Sequence, residues 1–138
     1  MNQRAPELVG IDHVQLSMPA GREDEARLFY GRLLGLVEVP KPPALAVRGG
    51  CWFSDPAGAV FIHVGVEPHF RPAARAHPAF VIRRLDDLRD RLNQGGVDVT
   101  EDAAIPGVRR FYASDPFGNR IEFIAEPDRG FTRPPRPG

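Results

Sequence analysis

A repeated turn constrains the fold of this chain more than any other feature of its sequence. Residues 54–58 (Ser-Asp-Pro-Ala-Gly) return as residues 114–118 (Ser-Asp-Pro-Phe-Gly), which is an offset of 60 residues (114 − 54). Proline fixes φ and glycine tolerates positive φ, so both segments predict tight turns. Each turn leads into a segment of alternating apolar residues, 60–66 and 120–125, and this alternation predicts a strand. The chain is therefore predicted to consist of two similar halves.

Each predicted half contains a strand, a helix and three further strands. The predicted elements of the first half, in chain order, are 10–18, 23–34 (the helix), 44–47, 50–54 and 60–66. Those of the second half are 77–83, 86–94 (the helix), 97–100, 110–114 and 120–125. The predicted class is α+β, with two βαβββ modules that form a curved mixed sheet around a concave site and carry their helices outside.

One domain is predicted to span residues 1–138, because this length is typical of a single domain. Module 1 is predicted at about 8–66 and module 2 at about 77–126. Residues 67–76 are rich in proline and arginine and lack periodicity, which is typical of a linker. Residues 127–138 are predicted to form a mobile tail.

The composition argues against several classes of partner and compartment. Lys and Arg number 18, as do Asp and Glu, so the formal net charge is zero and neither nucleic acid nor a membrane is predicted as a partner. Cys51 is the only cysteine, which excludes an internal disulfide and favours a reducing compartment. No signal peptide or long apolar run is present. The predicted location is therefore the cytoplasm.

Three histidines and one carboxylate occupy corresponding places in the two halves. His13 and His77 lie in the first strand of their halves, and His63 and Glu122 lie in the last. If the halves pair about a pseudo-twofold axis, all four side chains can converge on one concave face. Imidazole nitrogens with one carboxylate form a ligand set for a divalent transition metal, namely Zn, Ni, Fe, Mn or Co.

Three other side chains are candidates for contacting a small-molecule substrate. Arg110 and Tyr112 share one face of a predicted strand, where arginine could hold an anionic group and tyrosine could hydrogen-bond an oxygen. A rim salt bridge and a packed ring are equally compatible with the pattern. Gln15 lies two residues after His13 and is predicted to point inward, either toward the substrate or as support for a ligand.

These features together resemble the glyoxalase/bleomycin-resistance/dioxygenase group, the vicinal oxygen chelate superfamily. The resemblance covers about residues 8–126 and rests on the repeated plan and on three segments, Gly-Ile-Asp-His13, His77-Pro-Ala-Phe-Val and the closing 115–123 with Glu122. It implies that His13, His77 and Glu122 bind a metal. His63 stands where glyoxalase-like members often have a fourth ligand, usually Glu or Gln, so its identity departs from the family pattern.

The position of His63 departs slightly from the repeat as well. The turns are 60 residues apart, whereas His63 and Glu122 are 59 apart (122 − 63), so a strict repeat would place Ile62 opposite Glu122. The alternation within its own strand still separates His63 from Ile62 and its apolar neighbours. A one-residue slip or bulge is therefore predicted in the first half.

The resemblance implies several activities. With His63 as a ligand, it favours a glyoxalase-like isomerase or lyase that chelates a small oxygenated substrate on the metal, with Glu122 as the catalytic proton carrier. Without His63, an Fe(II) dioxygenase or a Mn-dependent thiol transferase is implied. A non-enzymatic protein that sequesters a drug-like molecule is the third possibility. The family also implies a homodimer, the commonest oligomer for small chains.

Overall fold

Alternating apolar residues form eight strands in this computed structural model, which describes residues 4–127. In chain order, strands β1 to β8 are Val14–Met18, Val37–Val39, Cys51–Ser54, Phe61–Val66, Ala79–Ile82, Thr100–Asp102, Arg110–Ser114 and Arg120–Ala125. Helix α1 begins as an α-helical turn, Glu23–Ala26, and continues as a π-helical segment, Arg27–Leu33. Helix α2 is Pro43–Ala46 and helix α3 is Leu85–Gln94.

The strands form two four-stranded mixed sheets that have the same topology. The first sheet has the order β1-β4-β3-β2, and the second has the order β5-β8-β7-β6. In each sheet the first strand is parallel to the last, and the remaining neighbours are antiparallel. The predicted α+β class and the repeated βαβββ plan are confirmed, with each half forming a hydrogen-bonded sheet of its own.

One hydrophobic core joins the two halves. Helix α1 buries Ala26, Phe29 and Tyr30, whose i, i+3, i+4 spacing places them on one face of the helix. The inward faces of both sheets contribute further apolar side chains, among them Phe53 from β3 and Phe123 from β8. Full burial of each large apolar side chain contributes about 1.5–3 kcal/mol, so neither half is expected to be stable without the other.

Two short elements in the structure differ from the prediction. The strand predicted at 44–47 is wrong, because Pro43–Ala46 forms helix α2. Proline at the first helical position has the φ that a helix needs, and Ala and Leu are strong helix formers. The strand predicted at 97–100 begins only at Thr100, and the sequence prediction missed strand β2.

The first strands of both halves are shorter than predicted. Strand β1 begins at Val14 and strand β5 at Ala79, so His13 and His77 lie just before their strands. Residues 67–76 form no helix or strand, and the module bounds remain a prediction. Residues 128–138, nearly all of the predicted tail, lie outside the described residues. Within residues 4–127, no helix is both long enough and apolar enough to cross a membrane.

Candidate metal and substrate site

Four residues predicted for the site lie together on the second sheet. Tyr112 in β7 pairs directly with Glu122 in β8, and Arg110 lies two residues earlier on the same face. Arg110 Nη1 donates hydrogen bonds to Glu122 Oε1 at 2.5 Å and to the Tyr112 hydroxyl at 3.1 Å. His77 Nε2 lies 3.2 Å from Glu122 Oε2. The structure therefore brings Arg110, Tyr112, Glu122 and His77 into one cluster.

Arg110 is the central cation of this cluster and contacts two carboxylates. Its Nη2 lies 3.2 Å from Asp102 Oδ1, so the guanidinium lies between two carboxylates. The hydrogen bond to Glu122 raises the pKa of Arg110 above its ordinary value. Among the described residues, the Nε of Arg110 is buried without a hydrogen-bond partner. Arg110 thus holds one oxygen of Glu122 in place and leaves the other, Oε2, facing His77.

The orientation of His77 shows which of its nitrogens is available as a ligand. Its Nδ1 lies 2.7 Å from the carbonyl oxygen of Arg75. A carbonyl only accepts hydrogen bonds, so Nδ1 carries the hydrogen, and in a neutral ring Nε2 then carries the lone pair. This lone pair lies 3.2 Å from the anionic Oε2 of Glu122. Two acceptors this close are stable only when a cation, either a proton or a metal ion, lies between them.

The same pair fits the geometry of a transition-metal site. Metal-to-ligand distances of about 2.0–2.1 Å place two ligands of a tetrahedral ion about 3.3 Å apart. The observed 3.2 Å separation of His77 Nε2 and Glu122 Oε2 agrees with this spacing. The contact of Nδ1 with the Arg75 carbonyl is also the support that metal-bound imidazoles commonly receive. His77 and Glu122 are therefore suited to be two ligands of one metal ion.

In the first half, the corresponding side chains form a column of three stacked rings. The Trp52 and His63 rings are 3.9 Å apart and tilted by 4°, and the His13 ring stacks on His63 at 4.1 Å. Burial, followed by the proximity of His13, lowers the pKa of His63, which favours its neutral ring. His13 Nδ1 lies 2.8 Å from Asp12 Oδ2, which leaves its Nε2 available as a ligand.

The strand register makes His63 the counterpart of Glu122. His63 pairs across its hairpin with Trp52, just as Glu122 pairs with Tyr112. His63 and Trp52 thus occupy the same places in the first sheet that Glu122 and Tyr112 occupy in the second.

A difference in turn length explains the offset of 59 residues between these counterparts. Ser54 pairs with Phe61, which leaves six residues in the first turn, whereas Ser114 pairs with Arg120, which leaves five in the second. The first hairpin therefore has one additional residue in its turn. This additional residue is the predicted one-residue slip, and with it the Ile62 side chain is buried in the core.

The structure does not bring the four predicted metal ligands into one cluster within a single chain. His13 and His63 lie with the first sheet, whereas His77 and Glu122 lie with the second. In the part of the chain that the structure describes, no group of three or more His, Cys, Asp or Glu residues is placed to hold a metal ion. Each half thus presents an incomplete ligand set.

Gln15 lies on β1 and lines a cleft of about 450 Å³ together with His77. Arg120 lines the same cleft, and its guanidinium carbon lies 3.9 Å from the centre of the Tyr112 ring. Arg120 was not among the site residues predicted from the sequence. Strand alternation could have identified it, because Arg120 lies two residues before Glu122 and shares its face.

Comparisons with known proteins agree with the repeated fold. The model of the Glyoxalase/Bleomycin resistance protein/Dioxygenase superfamily matches residues 10–123. A comparison with curated proteins found no match.

Solved structures similar to this chain include a protein assigned to the glyoxalase family, from Bacillus anthracis. It is 51% identical, with 89% of this chain and 99% of the other chain covered and a TM-score of 0.83. A glyoxalase/dioxygenase from Nostoc punctiforme is 25% identical, with coverages of 93% and 99% and a TM-score of 0.72. A fosfomycin resistance protein from Listeria monocytogenes is 19% identical, with coverages of 87% and 95% and a TM-score of 0.69, which shows a shared fold.

Proposed function

The chain belongs to the Glyoxalase/Bleomycin resistance protein/Dioxygenase superfamily, and from that premise we propose that it is a metal-dependent, glyoxalase-like enzyme. Its substrate is a small oxygenated molecule that is chelated on a divalent transition metal, and its chemistry is of the isomerase or lyase type. One observation carries the proposal: His77 Nε2 and Glu122 Oε2 lie 3.2 Å apart, while Nδ1 of His77 is occupied by the Arg75 carbonyl. This spacing suits two ligands of one tetrahedral metal ion.

The remaining residues of the cluster have separate roles in the proposal. A bound divalent metal would act as a Lewis acid toward substrate oxygens. Arg110 fixes Oε1 of Glu122, so Oε2 would be the atom that, on leaving the metal transiently, takes a proton from one substrate atom and returns it to a neighbouring atom. The hydroxyl of Tyr112 accepts a hydrogen bond from Arg110 and can donate its own hydrogen to a substrate oxygen.

The proposed site is completed by two copies of the chain. His77 and Glu122 of one copy supply two ligands, and His13 and His63 of a second copy supply the others. Two features support this arrangement: each half of one chain presents only part of the ligand set, and the His13 side chain is 38% exposed. In an isologous dimer, the first sheet of each copy faces the second sheet of the other, which gives two equivalent sites.

A non-enzymatic binding protein is the second candidate, and the ring column favours it. Trp52, His63 and His13 stack with nearly parallel faces, an arrangement suited to holding a flat ligand. The Arg110 guanidinium also balances the charge of Glu122 without a metal. This candidate requires tight ligand binding that is independent of metal.

The metal content of matched variants tests the main proposal. Wild-type protein supplied with Zn, Ni, Fe, Mn or Co in turn should retain close to one equivalent of at least one metal per chain. Glu122→Ala and His13→Ala homodimers should each retain less than about a tenth of an equivalent, because each lacks a ligand in both sites. The two variants are then co-expressed with different tags, and the mixed dimer is purified through both tags.

The mixed dimer has one site with both substitutions and one site with neither. It should therefore recover about half of the wild-type metal content if the ligands come from two copies. No recovery would contradict the shared site. Failure of the wild type to bind any of the metals, combined with tight binding of a flat ligand, would favour the non-enzymatic candidate.

A further inference from the structure

Arg110 and Arg120 lie beside the same tyrosine but have different partners. Arg110 contacts the carboxylates of Glu122 and Asp102, so its guanidinium already has two anionic partners. Arg120 rests on the ring of Tyr112, with its guanidinium carbon 3.9 Å from the ring centre. Within residues 4–127, Arg120 forms no ion pair within 4 Å. Arg120 also acts electrostatically on Asp102, but at longer range than Arg110 does, so its guanidinium N–H groups remain available to a ligand.

Arg120 lines two cavities, one shared with Tyr112 and a smaller one between the two halves. We call this cavity of about 450 Å³ the inter-half cleft; its walls come from β1, from residues 67–76, from His77 and Pro78, and from the start of β8. Its charged lining residues are Arg71, Arg120 and Glu67, which gives an excess of one positive charge while His77 is neutral. Apolar walls such as Phe70 complete it. Charge and volume together suit a small molecule with one anionic group.

We propose that the inter-half cleft binds the carboxylate or phosphonate group of a small molecule, with Arg120 as the anchoring and specificity-determining residue. The anion's apolar body lies against Phe70, and its other end extends toward His77. The inference rests on the proposed function in that His77 is taken as a metal ligand. It adds the class of substrate, an oxygenated organic anion.

The contact with Tyr112 prepares Arg120 for this role. A guanidinium that rests on an aromatic face is held by the cation–π interaction while its N–H edges remain free. The planar group presents paired donors that match the two oxygens of a carboxylate or phosphonate. Because the side chain is already held, less conformational entropy is lost when the anion binds.

Benzoate and its neutral analogue benzamide form a matched pair of probes. Calorimetry or ligand-observed NMR should be carried out on the full-length protein, both zinc-loaded and treated with a chelator. In the chelator-treated form, contact between benzoate and a metal does not contribute. Benzoate should bind at least about tenfold more tightly than benzamide, because a charge-assisted hydrogen bond is lost in the neutral probe.

Three variants separate the anchor from general charge effects. Arg120→Gln should weaken benzoate binding about tenfold and leave benzamide binding unchanged. Arg48→Gln, which removes the same charge from an exposed residue outside the cleft, should change neither. Arg120→Lys keeps the charge and should bind benzoate with intermediate affinity, because the planar fork is lost. Thermal unfolding of each variant shows whether it is folded.

The proposal is overturned if benzoate binds no better than benzamide, if neither binds up to its solubility limit, or if Arg120→Gln and Arg48→Gln behave alike. Normal metal binding combined with any of these results would leave the proposed function intact. The reverse result, benzoate binding that depends on Arg120 in a protein that binds no metal, would contradict the proposed function and support the anion site. The two failures are thus distinguishable.

Discussion

The two halves share one turn sequence, but its aspartate makes local contacts in the first half and long-range contacts in the second. Asp55 accepts hydrogen bonds from the backbone N–H groups of Ala59 at 2.7 Å and Val60 at 2.6 Å. The bond from Val60 is the main cause that holds the pKa of Asp55 below its ordinary value. Asp115 is buried, and it also accepts a hydrogen bond from the Tyr30 hydroxyl of α1 at 2.7 Å.

Further hydrogen bonds extend the second turn into the other half. Asp115 accepts from the backbone N–H of Phe117 at 2.9 Å and from the backbone and side chain of Asn119 at 2.9 and 2.8 Å. The Asn119 side chain also donates to the carbonyl oxygen of Ser17 in β1 at 2.8 Å. The same motif therefore closes a hairpin in one half, and in the other it also joins the halves.

The faces that carry the candidate site differ in a related way. The counterpart of Arg110, two residues before the paired aromatic ring, is Gly50 in the first half. Gly50 has φ of +82°, and a Cβ atom there would lie 2.2 Å from the carbonyl oxygen of Val64. No side chain fits, so the first half cannot carry a buried arginine there. The first sheet instead stacks rings, whereas the second builds an ionic cluster.

Replacing each turn aspartate tests this comparison, and Asp115→Ala should have the largest effect on stability. Asp115→Ala leaves four buried donors with lost or weakened partners, and we expect it to reduce the free energy of unfolding by about 3–4 kcal/mol. Asp55→Ala is the matched control, and its loss should be clearly smaller because the freed N–H groups can bond to water. Urea unfolding of both variants measures the difference. Equal losses would contradict the joining role of the second turn.

Local features of the site could be predicted from the sequence. Strand alternation placed Arg110 and Tyr112 on one face of their strand and separated Glu122 from Ile121 and Phe123, because the direction of a side chain in a strand depends on its neighbours along the chain. Helix α1 and the hairpin turns were predictable because they too depend on local sequence. The strand predicted at 44–47 failed where local preference was ambiguous, since a short apolar run is compatible with either structure.

Long-range features of the site could not be predicted. Corresponding places in a repeat do not determine whether two modules of one chain face each other, so the separation of His13 from His77 was unforeseen. The second anionic partner of Arg110 was equally hidden, because Asp102 reaches Arg110 from another strand. The sequence therefore identified Arg110 as the candidate anion anchor, whereas its occupied guanidinium directs attention to Arg120.

A smaller effect is expected from the hydroxyl that connects the two halves. Tyr30→Phe removes one buried hydrogen bond and should cost about 1–2 kcal/mol at neutral pH. Burial, and then the charge of Asp115, raises the pKa of Tyr30 well above its ordinary value of 10.0.

The raised pKa gives this prediction a second readout. A group whose pKa is raised in the folded state contributes its full stabilisation at a pH below its unfolded pKa. This contribution is lost as the pH rises from the unfolded pKa through the folded pKa, so wild-type stability should decline above about pH 10. Tyr30→Phe should show a weaker decline between pH 9 and 11, as measured by urea unfolding with Tyr112→Phe as the control. Parallel pH profiles for wild type and Tyr30→Phe would contradict the assignment.

The smallest expected effect tests whether His63 acts like its counterpart Glu122. His63→Phe preserves a flat ring between Trp52 and His13, which stack on it at 3.9 and 4.1 Å, but removes both ring nitrogens. If His63 is the fourth ligand, metal affinity should fall about tenfold or more, since replacing even a residue that only supports a ligand commonly lowers metal affinity by this factor. Competition with a chelating dye measures the affinity, and thermal unfolding should remain unchanged. An unchanged affinity would mean that His63 matches Glu122 in strand position but not in metal binding, because His63 would then serve only to pack the ring column.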